Sequence, residues 1–278
     1  MAGEVYGFAS ASLKSSGTTL SVNFTPSVAL PVGTLLVIAT SFDNYNASLP
    51  GVSATHDNIS DANGTSFTPR DITPVPAGAT SAGASIRSAL LTFEVGTEWP
   101  GGVERTFTLS YNYAITAKVA TVIALKDVSF KNIAYSGSAL GSNQALQNGS
   151  PDFNGQSGIL ILAVEGNSAT SGSSTGPWDT ADSVEVNAGT SGGSAVTNVY
   201  QKIYAGVMPA VSMDWGIRNV DSRDKSVIWA KFNDDVVDST DVQKIAIGDT
   251  LIGIDKLYIG STKVNRVYVG TVMVYDDV

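Results

Sequence analysis

The chain contains no cysteine and a single histidine, His56. Disulfides and thiolate metal sites are therefore excluded, and cysteine usage leaves the redox compartment undefined. A catalytic triad or a histidine-based zinc site would have to be built on His56 alone, which sets aside serine hydrolases and zinc enzymes. His56 precedes Asp57 in a polar stretch, where a solvated loop side chain is expected. Charge is scarce as well, at 15% of residues, and the balance is −9. Nucleic-acid binding needs a basic face to displace phosphate counterions, and no such face is legible; a solvated acidic surface is expected instead. No apolar run is long enough to span a membrane as a helix, so no membrane insertion is expected. The start, Met1-Ala2-Gly3-Glu4-Val5, lacks the basic region and apolar core of a secretory signal. No window of helical length carries a 3.6-residue apolar period.

What remains is apolar and small. Hydrophobic residues make up 43% of 278, ample for packed cores, and at this length two or three small domains are as natural as one. Two copies of one apolar strand organise the chain. The first is Gly33-Thr34-Leu35-Leu36-Val37-Ile38-Ala39-Thr40, the second Gly158-Ile159-Leu160-Ile161-Leu162-Ala163-Val164. Both are continuous aliphatic runs too short for a helix, the pattern of a strand covered on both faces. Around the first, Thr19 to Phe24 alternates, and 87–95, 105–113 and 118–125 read as further strands, with Phe107, Leu109, Tyr111 and Tyr113 sharing one face. Between 43 and 85 lies a run rich in Asn, Gly, Pro and Ser, with an Asn63-Gly64 turn signal, read as loop. The order returns after a join near Val128-Ser129: 178–186, 196–204 and 211–217 are strand-like, and 226–232 closes the second unit as 119–125 closes the first.

This is an internal duplication of a β unit of two-sheet sandwich size. The expected fold is all-β: two tandem antiparallel β-sandwiches, Ig-like or jelly-roll-like, spanning 1–128 and 129–236. An acidic linker and a small β-repeat region at 237–278 follow. In that region three strands begin on a basic residue and end on glycine: Lys244 to Gly248, Lys256 to Gly260, and Arg266 to Gly270. Hairpin arms of this size enclose no core alone and need a neighbour.

The glycine-led aliphatic strand, the Asp61-Ala62-Asn63-Gly64 turn and the closing strand Val122-Ile123-Ala124-Leu125-Lys126-Asp127-Val128 resemble tandem β-sandwich modules of tailed-bacteriophage virion proteins. The end of the chain, Tyr258-Ile259-Gly260-Ser261-Thr262-Lys263-Val264 and Tyr268-Val269-Gly270-Thr271-Val272-Met273-Val274-Tyr275, is similar to the Tyr-x-Gly-x-x-x-Val repeats of phage tail and fibre proteins. The first copy departs from the pattern, with Ala246 in place of tyrosine. The resemblance implies a non-enzymatic structural protein located in the virion and made in the host cytoplasm. A tail-fibre or tail-tip component acting in host attachment comes first, and a capsid decoration protein second. It implies a homo-oligomer, a homotrimer first, in contact with other virion proteins. Ile247, Gly248, Tyr258, Ile259, Gly260, Tyr268, Val269 and Gly270 are the expected assembly residues. Long loops at 43–85 and 167–195 are expected to face outward.

Candidate chemistry is thin. Asp57, Asp61 and Asn63 before Gly64 alternate oxygen donors as a calcium loop does, but Ile59 occupies one ligand position and no glutamate closes the loop. An Asx-type turn is the preferred reading, and no cofactor is expected. Glu94, Glu165 and Asp214 could face a groove, as glycoside hydrolysis requires of two carboxylates. A glycan-binding adhesin module is the alternative from another class. Trp178, after Gly176-Pro177, is the side chain best placed to stack on a host surface sugar, whereas Trp229 lies within a strand and is read as core.

Overall fold

The computed structural model describes residues 4–43, 52–57, 61–74, 86–126 and 128–139, and beyond these the individual strands between 159 and 276. From 159 onward the description is of backbone, together with the side chains of Ser226, Ile228, Ala230, Lys231 and Phe232. The described residues form strands and turns without a helix, and every strand pairing is antiparallel. The chain divides into two compact units, Met1–Asp235 and Val236–Val278.

The first unit opens with β1 (Glu4–Leu13), β2 (Gly17–Phe24), β3 (Leu35–Asp43), β4 (Val52–His56), β5 (Thr68–Ile72), β6 (Ile86–Glu94), β7 (Arg105–Ile115) and β8 (Lys118–Lys126). β1-β8-β3-β6-β5 form a five-stranded sheet, and β2-β7-β4 form a three-stranded one. In the smaller sheet one face is wet and the other dry, and the sequence alternates accordingly. Leu20, Val22 and Phe24 are buried on β2, as are Val52, Ala54 and His56 on β4 and Phe107, Leu109 and Tyr111 on β7. These side chains meet Leu36, Ile38, Phe42, Ala89, Leu91, Phe93, Ala120, Val122 and Ala124 of the larger sheet in one core. Tyr113, expected on the same face, is instead 50% exposed. β4 stops pairing at Tyr111, and the register of β2 slips between Gly17 and Thr19, so Tyr113 falls in an unpaired stretch of β7 before Ile115 returns to the core.

The opposite face of the five-stranded sheet is dry as well. β9 (Val128–Ala139), β10 (Ile159–Asn167), β11 (Ser173–Ser174), β12 (Asp179–Val186), β13 (Ala195–Tyr204), β14 (Ile217–Arg218) and β15 (Lys225–Asp234) follow. Their five-stranded sheet has the order β9-β15-β10-β13-β12, and β11 pairs with β14. Ile228, Ala230 and Phe232 of β15 pack with Leu35, Val37, Ala39, Leu90, Ile123, Leu125 and Val128 in a second core. β3, β6 and β8 are therefore covered on both faces, which explains aliphatic runs without alternation. The position 128/129 falls inside this unit, with Val128 buried in the second core.

The order β1-β8-β3-β6-β5 and the order β9-β15-β10-β13-β12 are the same arrangement. Each places the glycine-led aliphatic strand at the centre and pairs it with the closing strand, Leu35 opposite Leu125 in one and Leu160 opposite Phe232 in the other.

Polar groups bridge the layers where apolar ones do not. Ser88 Oγ lies 3.0 Å from Ser41 Oγ and 2.7 Å from Ser226 Oγ, all buried, which joins the two five-stranded sheets. Lys118 is fully buried and donates from Nζ to the carbonyls of Ser15, Gly17 and Ile115 at 2.9, 3.1 and 2.7 Å. Burial lowers its pKa, and the three carbonyls offer the ammonium its acceptors. Burial likewise raises the pKa of the Tyr111 phenol, which donates to Thr40 Oγ1 at 2.9 Å while Thr40 donates to the Val119 carbonyl.

The described residues of the second unit form three hairpins. β16 (Gln243–Ile247) pairs with β17 (Thr250–Ile254), β18 (Tyr258–Ile259) with β19 (Thr262–Lys263), and β20 (Arg266–Val269) with β21 (Val272–Asp276). Ile247 faces Thr250, Ile259 faces Thr262, and Val269 faces Val272. Each pairing leaves two residues between the strands, Gly248-Asp249, Gly260-Ser261 and Gly270-Thr271, which themselves lie outside the described residues.

Candidate functional site

One end of the first unit is tied together by a carboxylate. Asp61 stands at a turn that Gly64 closes by donating to the Asp61 carbonyl at 2.9 Å, with Gly64 at φ 84°. Its Oδ1 accepts from the backbone N–H groups of Asn63 and Gly96, both at 2.9 Å. Its Oδ2 accepts from the Trp99 indole at 3.1 Å and from the Thr97 amide and hydroxyl at 3.3 Å. Burial by itself would raise the carboxyl's pKa, but these donors outweigh it and hold the group below the ordinary aspartate range. Both oxygens are thus committed to the protein, and the turn is the Asx type preferred from sequence.

The other candidate calcium donors are occupied elsewhere. Asp57 accepts from Arg105 Nη1 at 3.2 Å, and Asn63 donates its side-chain amide to the Glu94 carbonyl at 3.0 Å. Among the described residues no three His, Asp or Glu side chains gather as metal ligands.

His56 is not a solvated loop residue. It ends β4 on the buried face of an alternating strand, 4% exposed. Its ring lies 4.8 Å from that of Phe93 and 5.1 Å from that of Trp99, and Nε2 sits 3.2 Å from the Gly64 carbonyl. Arg105 caps the cluster, its guanidinium 4.0 Å from the Trp99 ring centroid. The alternation Val52-Ser53-Ala54-Thr55-His56 is the signal that would have placed it.

Beside this tied end opens a cleft of about 430 Å³, within the range of small-molecule sites. It lies where the starts of β3 and β9 meet the paired ends of β5 and β6. Asn63, Ser66, Thr68, Arg70, Thr92 and Glu94 line one side, and Gly33, Leu35, Phe93, Val128, Ser129 and Phe130 complete it. Arg70 is fixed twice, by its Nε donating to Thr92 Oγ1 at 2.6 Å and by its guanidinium lying 4.5 Å over the Phe130 ring. Glu94, one of the carboxylates singled out in the sequence, is exposed here and is the one carboxylate among the lining residues. Asp214 and Trp178 lie outside the described residues, as do Gly248, Gly260 and Gly270, and Glu165 is described only as a backbone position on β10. Of the expected assembly residues, Ile247, Tyr258, Ile259, Tyr268 and Val269 stand on the hairpin strands.

Part of this site escaped the sequence reading. The run 43–85 was expected to be loop, yet β4 and β5 lie within it, and β5 brings Arg70 to the cleft. No protein-family model matches the chain, and no curated protein matches it.

Proposed function

We propose that this chain is a non-enzymatic structural protein of a tailed-phage virion, a tail-fibre or tail-tip component that takes part in host attachment. The observation that supports it most is the combination of a repeated five-strand order with a tail of two-stranded hairpins. In the proposed organisation the repeated order marks two tandem β-sandwiches, and the hairpin region mediates assembly. Each hairpin is a two-stranded sheet, and a lone hairpin is marginal in water. Its open edges invite pairing, and identical chains around a closed axis would cover them. A homotrimer is the proposed state, with other virion proteins as further partners. The cleft carries one carboxylate where glycoside hydrolysis takes two, which favours holding a ligand over cleaving it.

Antibody-gold labelling of particles purified from a lysate containing this protein tests the reading. Label confined to the tail end is the expected result. Label spread over the head would replace it with capsid decoration, the second reading, and unlabelled particles would remove the virion role.

A further inference from the structure

We propose that the cleft between β3, β5, β6 and the start of β9 is a binding site for a neutral saccharide, with Arg70 and Glu94 as its principal polar contacts. The site deepens the attachment part of the proposed function by supplying a contact surface, and it stands apart from the assembly part. The geometry is that of a prepared site. Arg70 uses Nε on Thr92 and one face on Phe130, and among the described residues its Nη groups have no hydrogen-bond partner. The Glu94 carboxylate has none either, although the backbone of Glu94 is fixed by Asn63. Two opposite charges thus line one cleft without being spent on each other.

That pairing selects the ligand class. A phosphate or carboxylate would meet Arg70 favourably but Glu94 unfavourably, on a chain whose net charge is already −9. A cation would meet the reverse conflict. A sugar hydroxyl both donates and accepts, so adjacent hydroxyls satisfy a guanidinium and a carboxylate together. Ser129 adds a hydroxyl of the same dual character. The walls lose little freedom on binding, because Arg70 and Asn63 are already held by hydrogen bonds, and preorganised contacts retain more of their binding energy.

The test is an amide-shift titration of the full chain with the methyl glycosides of glucose, galactose, mannose and N-acetylglucosamine. Inorganic phosphate and glycine are run beside them. The expected result is millimolar binding of at least one glycoside, with shifts at the amides of Asn63, Arg70 and Thr92. Arg70→Met and Glu94→Gln, both exposed positions, should each weaken it about tenfold or more; Glu94→Gln leaves the unfolding midpoint in place, and Arg70→Met, which gives up the hydrogen bond to buried Thr92, is compared where its amide spectrum is still that of the folded chain. Binding unchanged in both variants would place the sugar elsewhere and overturn the site. No glycoside binding by the folded chain would overturn it too, and binding of phosphate or glycine alone would overturn the neutral class. Oligomeric state, read in parallel, fails or holds independently of these outcomes.

Discussion

Asp61 shows how one side chain can fix a whole end of a β protein. Its two oxygens collect donors from Asn63, Gly96, Thr97 and Trp99, which lie on two segments more than thirty residues apart. Asp61→Ala leaves the buried Trp99 indole N–H and the partly buried amides of Asn63, Gly96 and Thr97 without an acceptor and should cost about 3 kcal/mol, read as a lower urea midpoint at unchanged slope. Because the folded carboxyl titrates below its ordinary value, its contribution is complete above about pH 4 and drains as the pH falls toward the folded pKa. Wild type should therefore lose stability across that acid window more steeply than Asp61→Asn does. Gly96→Ala tests the same contact from the other partner: a Cβ there would sit 2.7 Å from the Asn63 nitrogen, and a loss of about 2 kcal/mol is expected. The sequence showed the Asx turn at Asp61-Ala62-Asn63-Gly64 plainly, since that is local chemistry. It could not show Trp99 donating from 38 positions away.

At the level of elements, legibility followed how much a strand depends on its neighbours. β3 and β10 were readable because an aliphatic run declares burial without reference to anything else. β2 and β7 were readable because half-burial imposes alternation. β1 was missed: Ala9, Ala11, Ser10 and Ser12 carry too little side chain to declare a face, and an edge strand gains its order from pairing with β8. β4 and β5 are five residues each, flanked by Pro, Gly and Asn, and their partners decide them. The packing of the two five-stranded sheets is an element-scale claim with its own test. Leu90→Ala empties volume in the second core and should cost about 3 kcal/mol. Hydrogen exchange should then quicken in β15, a strand that β6 does not hydrogen-bond, and unchanged protection there would count against shared packing.

For the molecule as a whole, the recurrence of one strand order is the strongest regularity, and it was visible in sequence only as two similar strands with similar closers. The rest of the second copy carries sequence of its own, so pattern alone could not fix which strands pair. The hairpin unit makes the separable prediction. Deleting 242–278 should leave the circular-dichroism signal of the first unit in place while sedimentation shows a smaller particle. A truncated chain that sediments as the full one does would remove the hairpins from assembly.

The sheet covered on both faces also has a consequence for synthesis. Its inner face can be buried once residue 126 has left the ribosome, since β1 to β8 are then complete. Its other face, with Val37, Ala39, Leu90 and Ile123, meets the β15 side chains only after residue 232 has emerged. For the time needed to translate about a hundred residues, several seconds at ordinary elongation rates, the nascent chain presents an apolar surface to its surroundings. A chain stopped near residue 127 would present it permanently, and should be recovered bound to chaperones or in the insoluble fraction, where the full-length protein is not.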